Sequence, residues 1–268
     1  MSLKQRTGTA LILLICLVAL IQWAPRVVFF LFLQLIILAA LLEFYNLARR
    51  RRLAAQPGLG IVVAIVVGLS FYSPEKLPLA LALLIALILL AAYFLITIKS
   101  IEKIINFPAA AAVTFLGPFY ISFPLNFFHW LRSDYRPTVV YFLLAVIFLG
   151  DTGAYLVGQK WGRHPLASLA SPRKTVEGAV AGLVWAAAGA FLVRFLLWPN
   201  LAYGLALSLG LLTHAAAQLA DPFESLFKRA AGVKDSSHLL PGHGGFLDRV
   251  DSLLLATPVY YFLLKLFL

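Results

Sequence analysis

Long apolar runs, broken by turn signals and short polar stretches, fill most of the chain. A bilayer's hydrocarbon core, about 30 Å thick, takes about 20 helical residues to cross. Apolar runs that answer this length lie near 8–24, 27–47, 57–73, 77–97, 107–130, 137–158, 176–198, 201–227 and 248–268. They predict an all-α, polytopic membrane protein of about nine transmembrane helices. No internal repeat, linker or long soluble insertion interrupts the series, so residues 1–268 read as one membrane domain. The first run has the basic start and apolar middle of a signal peptide. No A-x-A-type cleavage site follows it, and it is expected to be a retained first span.

Composition agrees with this pattern. The chain is 62% hydrophobic and 12% charged, against about a quarter charged in soluble domains. The single cysteine, Cys16, lies inside an apolar run. That leaves no disulfide framework and no cysteine-based zinc site, and Cys16 is expected to pack. A formal charge of +11 invites a nucleic-acid reading, but the basic residues sit in short loops between apolar runs, where they set orientation instead. With the N-terminus in the cytoplasm, sixteen of the 22 Lys and Arg fall on the cytoplasmic side, including Arg49 to Arg52. Those four arginines also suit anionic headgroups, at about 1 kcal/mol per basic residue. No nucleic-acid partner is expected.

The acids are unevenly placed. Of eleven, seven follow position 150: Asp151, Glu177, Asp221, Glu224, Asp235, Asp248 and Asp251. An acid at a helix centre costs about 2.5–3.5 kcal/mol on insertion scales, so such groups face a polar cavity or a partner. Residues 1–150 therefore read as scaffold spans and 151–268 as the part that carries chemistry. In "DPFESLFK", Asp221, Glu224, Ser225 and Lys228 share one helical face, which Gln218 and His214 extend backward. A helix-end salt bridge is the plainer reading of that face. A hydrogen-bonded packing role is the plainer one for His214.

Further on, Gly242, Gly244 and Gly245 precede Asp248 and Asp251, which lie three residues apart at the start of the last run. Glycines let a backbone approach a phosphate, and a helix N-terminus offers free N–H groups. Carboxylates supply the oxygens that hard cations prefer. A simple helix cap would account for one aspartate, but not for the glycines, His243, Arg249 and the second aspartate together. Upstream, Asp151 and Tyr155 stand one turn apart. "SPRKT" is expected to open a helix, with Ser171 as N-cap and Pro172 in the first helical position. Arg173 and Lys174 in that first turn would oppose the helix dipole unless a polyanion binds there. Gly178 and Gly182 fit close helix packing.

The stretch "SLFKRAAGVKDSSHLLPGHGGFLDRVD", 225–251, resembles the signature of the phosphatidate cytidylyltransferase (CDP-diacylglycerol synthase) family. That signature runs S-x-apolar-K-R, four residues, K-D, then P-x-H-G-G-apolar-x-D-R-apolar-D, and every position is filled. "DTGAYLVG…WG…SPRKTVEG" resembles a second block of that family. Together they cover roughly 100 residues. Ala220-Asp221-Pro222 departs from the usual Gly-Asp-Leu, and Gln159 stands where a basic residue is common.

The resemblance implies transfer of CMP from CTP to phosphatidate, giving CDP-diacylglycerol and pyrophosphate. It implies Mg²⁺, with room for a second, monovalent cation such as K⁺, and a homodimer in the membrane. Carried over residue by residue, Asp221, Asp248 and Asp251 become the metal and catalytic carboxylates, with Lys228 and Arg229 beside them. Ser225, Lys234, Asp235, His243, Gly244, Gly245, Arg249, Asp151, Tyr155, Ser171, Arg173, Lys174 and Glu177 become the substrate-binding set. The expected site is a polar cavity open to the cytoplasm. Two related enzymes, an ether-lipid cytidylyltransferase and a CTP-dependent polyprenol kinase, are the nearest alternatives. A cation transporter is the alternative from another class; it would need polar residues through the full membrane depth rather than at one side.

Overall fold

The computed structural model describes residues 15–237, 239 and 244–268. Helix α1 covers residues 15–23, and the part of the first predicted run before it lies outside the described residues. Then follow α2 (Arg26–Arg50), α3 (Pro57–Tyr72), α4 (Leu79–Thr97), α5 (Ile101–Gly117), α6 (Phe123–Asp134) and α7 (Pro137–Trp161). A hairpin of β1 (Pro165–Ala167) and β2 (Ser171–Thr175) leads into α8 (Val176–Leu197), α9 (Tyr203–Ala230) and α10 (Leu247–Phe267).

Among the described residues, six helical rods are long and apolar enough to cross a membrane: α2, α4, the joined α5–α6, α7, α8 and α10. The protein is therefore a multi-pass, helical membrane protein. Helix α3 is apolar but has only 16 residues, and α9 has 28 and carries the polar stripe. Prolines mark the starts: Pro57 and Pro137 sit in first turns, where their missing N–H costs nothing. Helix α4 buries only Ala82, Ala86 and Phe94. The rest of its apolar surface faces outward, as a lipid-facing helix does. Cys16 is also exposed, on α1, so it is not the packing residue expected from its apolar surroundings.

Helices α5 and α6 are joined by one wide turn, Pro118–Ser122. Pro118 has no N–H to give to the carbonyl four residues back, that of Thr114. The Tyr45 hydroxyl of α2 donates to it instead, at 2.7 Å. The Phe123 N–H reaches back five residues to Pro118 and completes the widened turn. Nearby, the amide of Gln34 donates to Asn126 and the Ser122 hydroxyl donates to the Ala64 carbonyl, which fastens α2, α3 and α6 together.

The second half packs as a bundle in which α8 lies along α7, α9 along α8 and α10 along α9, with α10 also against α6. Gly178 lies so close to α7 that an added Cβ would stand 2.8 Å from the Ala154 carbonyl. Gly182 faces His214 and Gln218 of α9 in the same way. Both are packing glycines, as their spacing suggests.

The start of α8 differs from the expected one. Ser171 to Thr175 is a strand, antiparallel to Pro165–Ala167, with Pro165 opposite Thr175 and Ala167 opposite Ser171. The N-cap is Thr175, whose hydroxyl accepts from the Gly178 N–H. Hairpin pairing holds the segment extended, so Arg173 and Lys174 never enter a helical turn. The expected conflict with the helix dipole does not arise. Glu177 occupies the first turn, where an acid is favourable.

Candidate active site

Successive helices run in opposite directions, so the C-terminal ends of α7 and α9 meet the N-terminal ends of α8 and α10. This brings residues 151, 174, 221 and 248 from far-apart positions to one end of the bundle. A cavity of about 790 Å³ opens there. Asp151 and Tyr155 line it from α7, Arg173 and Lys174 from β2, Asp221 from α9, and Asp248 and Asp251 from α10. Gln218, one turn before Asp221, also lines it, and Gln159 stands on the wall where a basic residue was expected.

The charges inside are heavily engaged. Lys174 Nζ lies 2.5 Å from the Asp221 carboxylate, with about a third of each side chain exposed. Lys228, almost fully buried, makes an ion pair with Glu224 one turn earlier on α9 and lies 2.7 Å from Asp248 Oδ1. A salt bridge does form on that face of α9, and its acid is Glu224, not Asp221. Glu224, with no exposed surface, takes the lysine instead. An unpaired carboxylate buried that far would be costly, and Lys228 is what offsets it.

Asp248 is held on its other oxygen too. Oδ2 accepts from the Ser236 N–H at 2.9 Å, the Ser236 hydroxyl at 2.7 Å and the Gly245 N–H at 2.9 Å. Gly244 has φ +79°, a left-handed conformation that glycine adopts freely. That turn aims the Gly245 N–H at the carboxylate.

Several expected site residues stand elsewhere. The Glu177 carboxylate accepts from the N–H groups of Arg163 and His164 and lies 2.5 Å from His164 Nδ1. It closes the loop before the hairpin and does not line the cavity. Ser171 is paired with Ala167 in that hairpin. Arg229 donates to the Ala170 and Val233 carbonyls, so it ties the hairpin to the end of α9. Ser225 is buried on α9, and Lys234 and Asp235 are exposed on the loop after it. Arg249 is exposed on the side of α10 away from the carboxylates, at an apolar groove that Leu17 and Phe32 also line. His243 lies outside the described residues. His214 is fully buried, and among the described residues neither ring nitrogen has a hydrogen-bond partner, contrary to the bonded packing role expected of it.

One site residue comes from the half of the chain read as scaffold. Glu43 of α2 is buried at 1% exposure. Its Oε1 accepts from the Ser237 hydroxyl at 2.6 Å and the Phe246 N–H at 3.0 Å. Its Oε2 accepts from the Leu247 N–H at 2.8 Å and lies 2.9 Å from the Ser236 hydroxyl, whose one proton it shares with Asp248. Glu43 and Ser236 were absent from the expected set. Glu43 carried a signal nonetheless: an acid inside an apolar span needs a partner.

Among the described residues, no three His, Cys, Asp or Glu side chains are already gathered closely enough to hold a metal ion. Five carboxylates, Asp151, Asp221, Glu224, Asp248 and Asp251, meet two ammonium groups, Lys174 and Lys228, in and beside the cavity. That surplus of hard oxygen donors fits a divalent cation.

A family model described as the cytidylyltransferase family matches residues 4–267. The chain belongs to the cytidylyltransferase family. A phosphatidate cytidylyltransferase of Staphylococcus haemolyticus is 32% identical over 264 residues, covering 98% of this chain and 99% of that one. One from Staphylococcus aureus is 31% identical over the same length. One from Bacillus subtilis is 35% identical over 200 residues, 74% of this chain and 72% of its own. As a member of this family, the chain is a nucleotidyltransferase. The resemblance first seen in residues 151–251 thus extends across the membrane domain, scaffold helices included.

Proposed function

We propose that this cytidylyltransferase uses the cavity at the ends of α7 to α10 to transfer CMP from CTP to phosphatidate, giving CDP-diacylglycerol and pyrophosphate for phospholipid synthesis. The observation that carries this reading is a cavity that presents carboxylates and basic groups at one end of membrane helices. A charged nucleotide and a lipid headgroup can meet there. A cation path would need polar groups along the membrane's depth, and these gather at one end.

In the reaction a phosphatidate oxygen, already anionic, attacks the α-phosphorus of CTP. The new O–P bond forms as the bond from Pα to the bridging oxygen breaks, and pyrophosphate leaves with that electron pair. No protein nucleophile or strong base is needed, so catalysis comes from alignment and neutralisation of charge. Lys174 and Arg173, on the rigid hairpin, are placed to neutralise phosphate oxygens. Asp221, Asp248 and Asp251 would hold Mg²⁺, with Asp151 facing them across the cavity. When bound, the metal would neutralise triphosphate charge. Lys228 orients Asp248 from behind. A second cation such as K⁺ belongs to the same proposal, as do a homodimer and nine membrane crossings with the N-terminus and cavity mouth in the cytoplasm. The basic-residue asymmetry and the position of the cavity support that orientation.

Purified protein in phosphatidate vesicles, supplied with radiolabelled CTP and Mg²⁺, tests the reading. Lipid-linked CMP and an equal amount of pyrophosphate are expected. Ion flux with no labelled lipid would replace the enzyme with a transporter. Label transferred to an ether lipid in preference to phosphatidate would name the ether-lipid enzyme.

A further inference from the structure

We propose that Glu43 is a positioning residue for this reaction: it clamps the signature loop and the start of α10 to α2, and so sets where Asp248 points. The proposal rests on the cytidylyltransferase reading above. Its basis is the hydrogen-bond pattern at a buried carboxylate 193 residues upstream of the serine it holds.

Glu43 Oε1 accepts from the Ser237 hydroxyl and the Phe246 N–H, and Oε2 accepts from the Leu247 N–H and shares the one Ser236 hydroxyl proton with Asp248 Oδ2. The two N–H groups belong to Phe246 and Leu247, where α10 begins, and α10 has no N-cap side chain of its own. Orphan N–H groups at a helix start need an acceptor, and a negative charge there is favourable. Glu43 supplies both from another helix. Among the described residues no cation pairs with Glu43, so three donors and the shared Ser236 proton are what compensate its burial.

Ser236 links the clamp to the cavity. Its hydroxyl lies between Glu43 Oε2 and Asp248 Oδ2, at 2.9 and 2.7 Å, and its N–H also donates to Asp248. Gly245 lies against the same pair: an added Cβ would overlap the Ser236 hydroxyl and the Glu43 carboxylate. A continuous path therefore runs from Glu43 through Ser236 to Asp248, and on to Lys228.

Glu43→Gln is the informative change, because it keeps shape and size. A glutamine can turn its amide either way, but its NH₂ then always faces one backbone N–H, that of Phe246 or Leu247. One donor loses its acceptor, and the loop shifts. The full-length protein, assayed for phosphatidate-dependent pyrophosphate release, should lose kcat by about 10- to 100-fold, as for other groups that orient a ligating side chain, with KM for phosphatidate unchanged. Ser236→Ala should lose kcat as well, and the double variant should be no worse than the worse single one, because both act through one path. Trypsin should cut after Lys234 faster in Glu43→Gln than in wild type, and the melting temperature should fall by a few degrees, as one stranded buried N–H implies.

A kcat within twofold of wild type would overturn the proposal, as would losses that multiply in the double variant or a kcat loss with no faster cut after Lys234. If Glu43→Gln does not fold, Ser236→Ala carries the same test, since it leaves Glu43 its bonds to Ser237, Phe246 and Leu247. If wild type releases no pyrophosphate, the functional reading fails by itself, and protection of Lys234 still reports whether Glu43 holds the loop.

Discussion

Lys174 Nζ lies 2.5 Å from the Asp221 carboxylate, so a strand of the hairpin reaches the C-terminal part of α9. A lysine held there by an aspartate is ready for a phosphate oxygen once a substrate arrives. Lys174→Ala should raise the apparent KM for CTP or phosphatidate by about 10- to 100-fold, the worth of one hydrogen bond to a charged group. Steady-state kinetics with each substrate varied would show it. Unchanged constants would leave Lys174 with a topological role only.

Asp221→Asn and Asp248→Asn should both abolish CMP transfer, with different effects on stability. Asp221 is a third exposed and pairs only with Lys174 among the described residues, so its asparagine should melt near wild type. Asp248 accepts three hydrogen bonds on Oδ2 and meets Lys228 on Oδ1. An asparagine NH₂ faces either those donors or the ammonium, and a lower melting temperature is expected. Thermal melts in detergent beside the activity assay separate the two. Wild-type activity in either variant removes that residue from the metal set.

Lys228→Met should destabilise the protein by about 3–5 kcal/mol, because it strands Glu224 and Asp248 without their counter-charge. For a chain of this size that corresponds to a fall of about 10 °C in melting temperature. Adding Glu224→Gln should recover part of the stability and none of the activity. A Lys228→Met protein that melts like wild type would show that the pair contributes nothing to the fold.

Gly245→Ala should cost both activity and stability, since its Cβ has no room beside Ser236 and Glu43. Gly58→Ala is the matched control. Nothing lies within 4 Å of its added Cβ, and it sits in the first turn of α3. That variant should melt at or above the wild-type temperature, through a more restricted unfolded chain. Equal effects of the two substitutions would contradict the packing at Gly245.

The carboxylate face of α9 and the Asp248–Asp251 pair were legible because a helix repeats every 3.6 residues, and residues three or four apart must share a side. The hairpin was not. "SPRKT" satisfies the local rules for a helix start, and only pairing with Pro165–Ala167 holds it extended. Glu177 and Arg229 looked like ligand groups by type, yet they close loops, because the nearest unsatisfied backbone groups happen to be theirs. Neither distinction is written in local sequence.

The sequence alone determined that the chain lives in a membrane and that it carries a cytidylyltransferase signature. Those properties depend on hydrophobicity and short-range spacing, which the order of residues specifies directly. Tertiary structure decided which charges pair, which of the signature residues reach the cavity, and that Glu43 is bonded to the loop and helix start behind Asp248. Those depend on contacts across as many as about two hundred residues of chain, where burial makes every donor and acceptor find a partner and packing chooses which one.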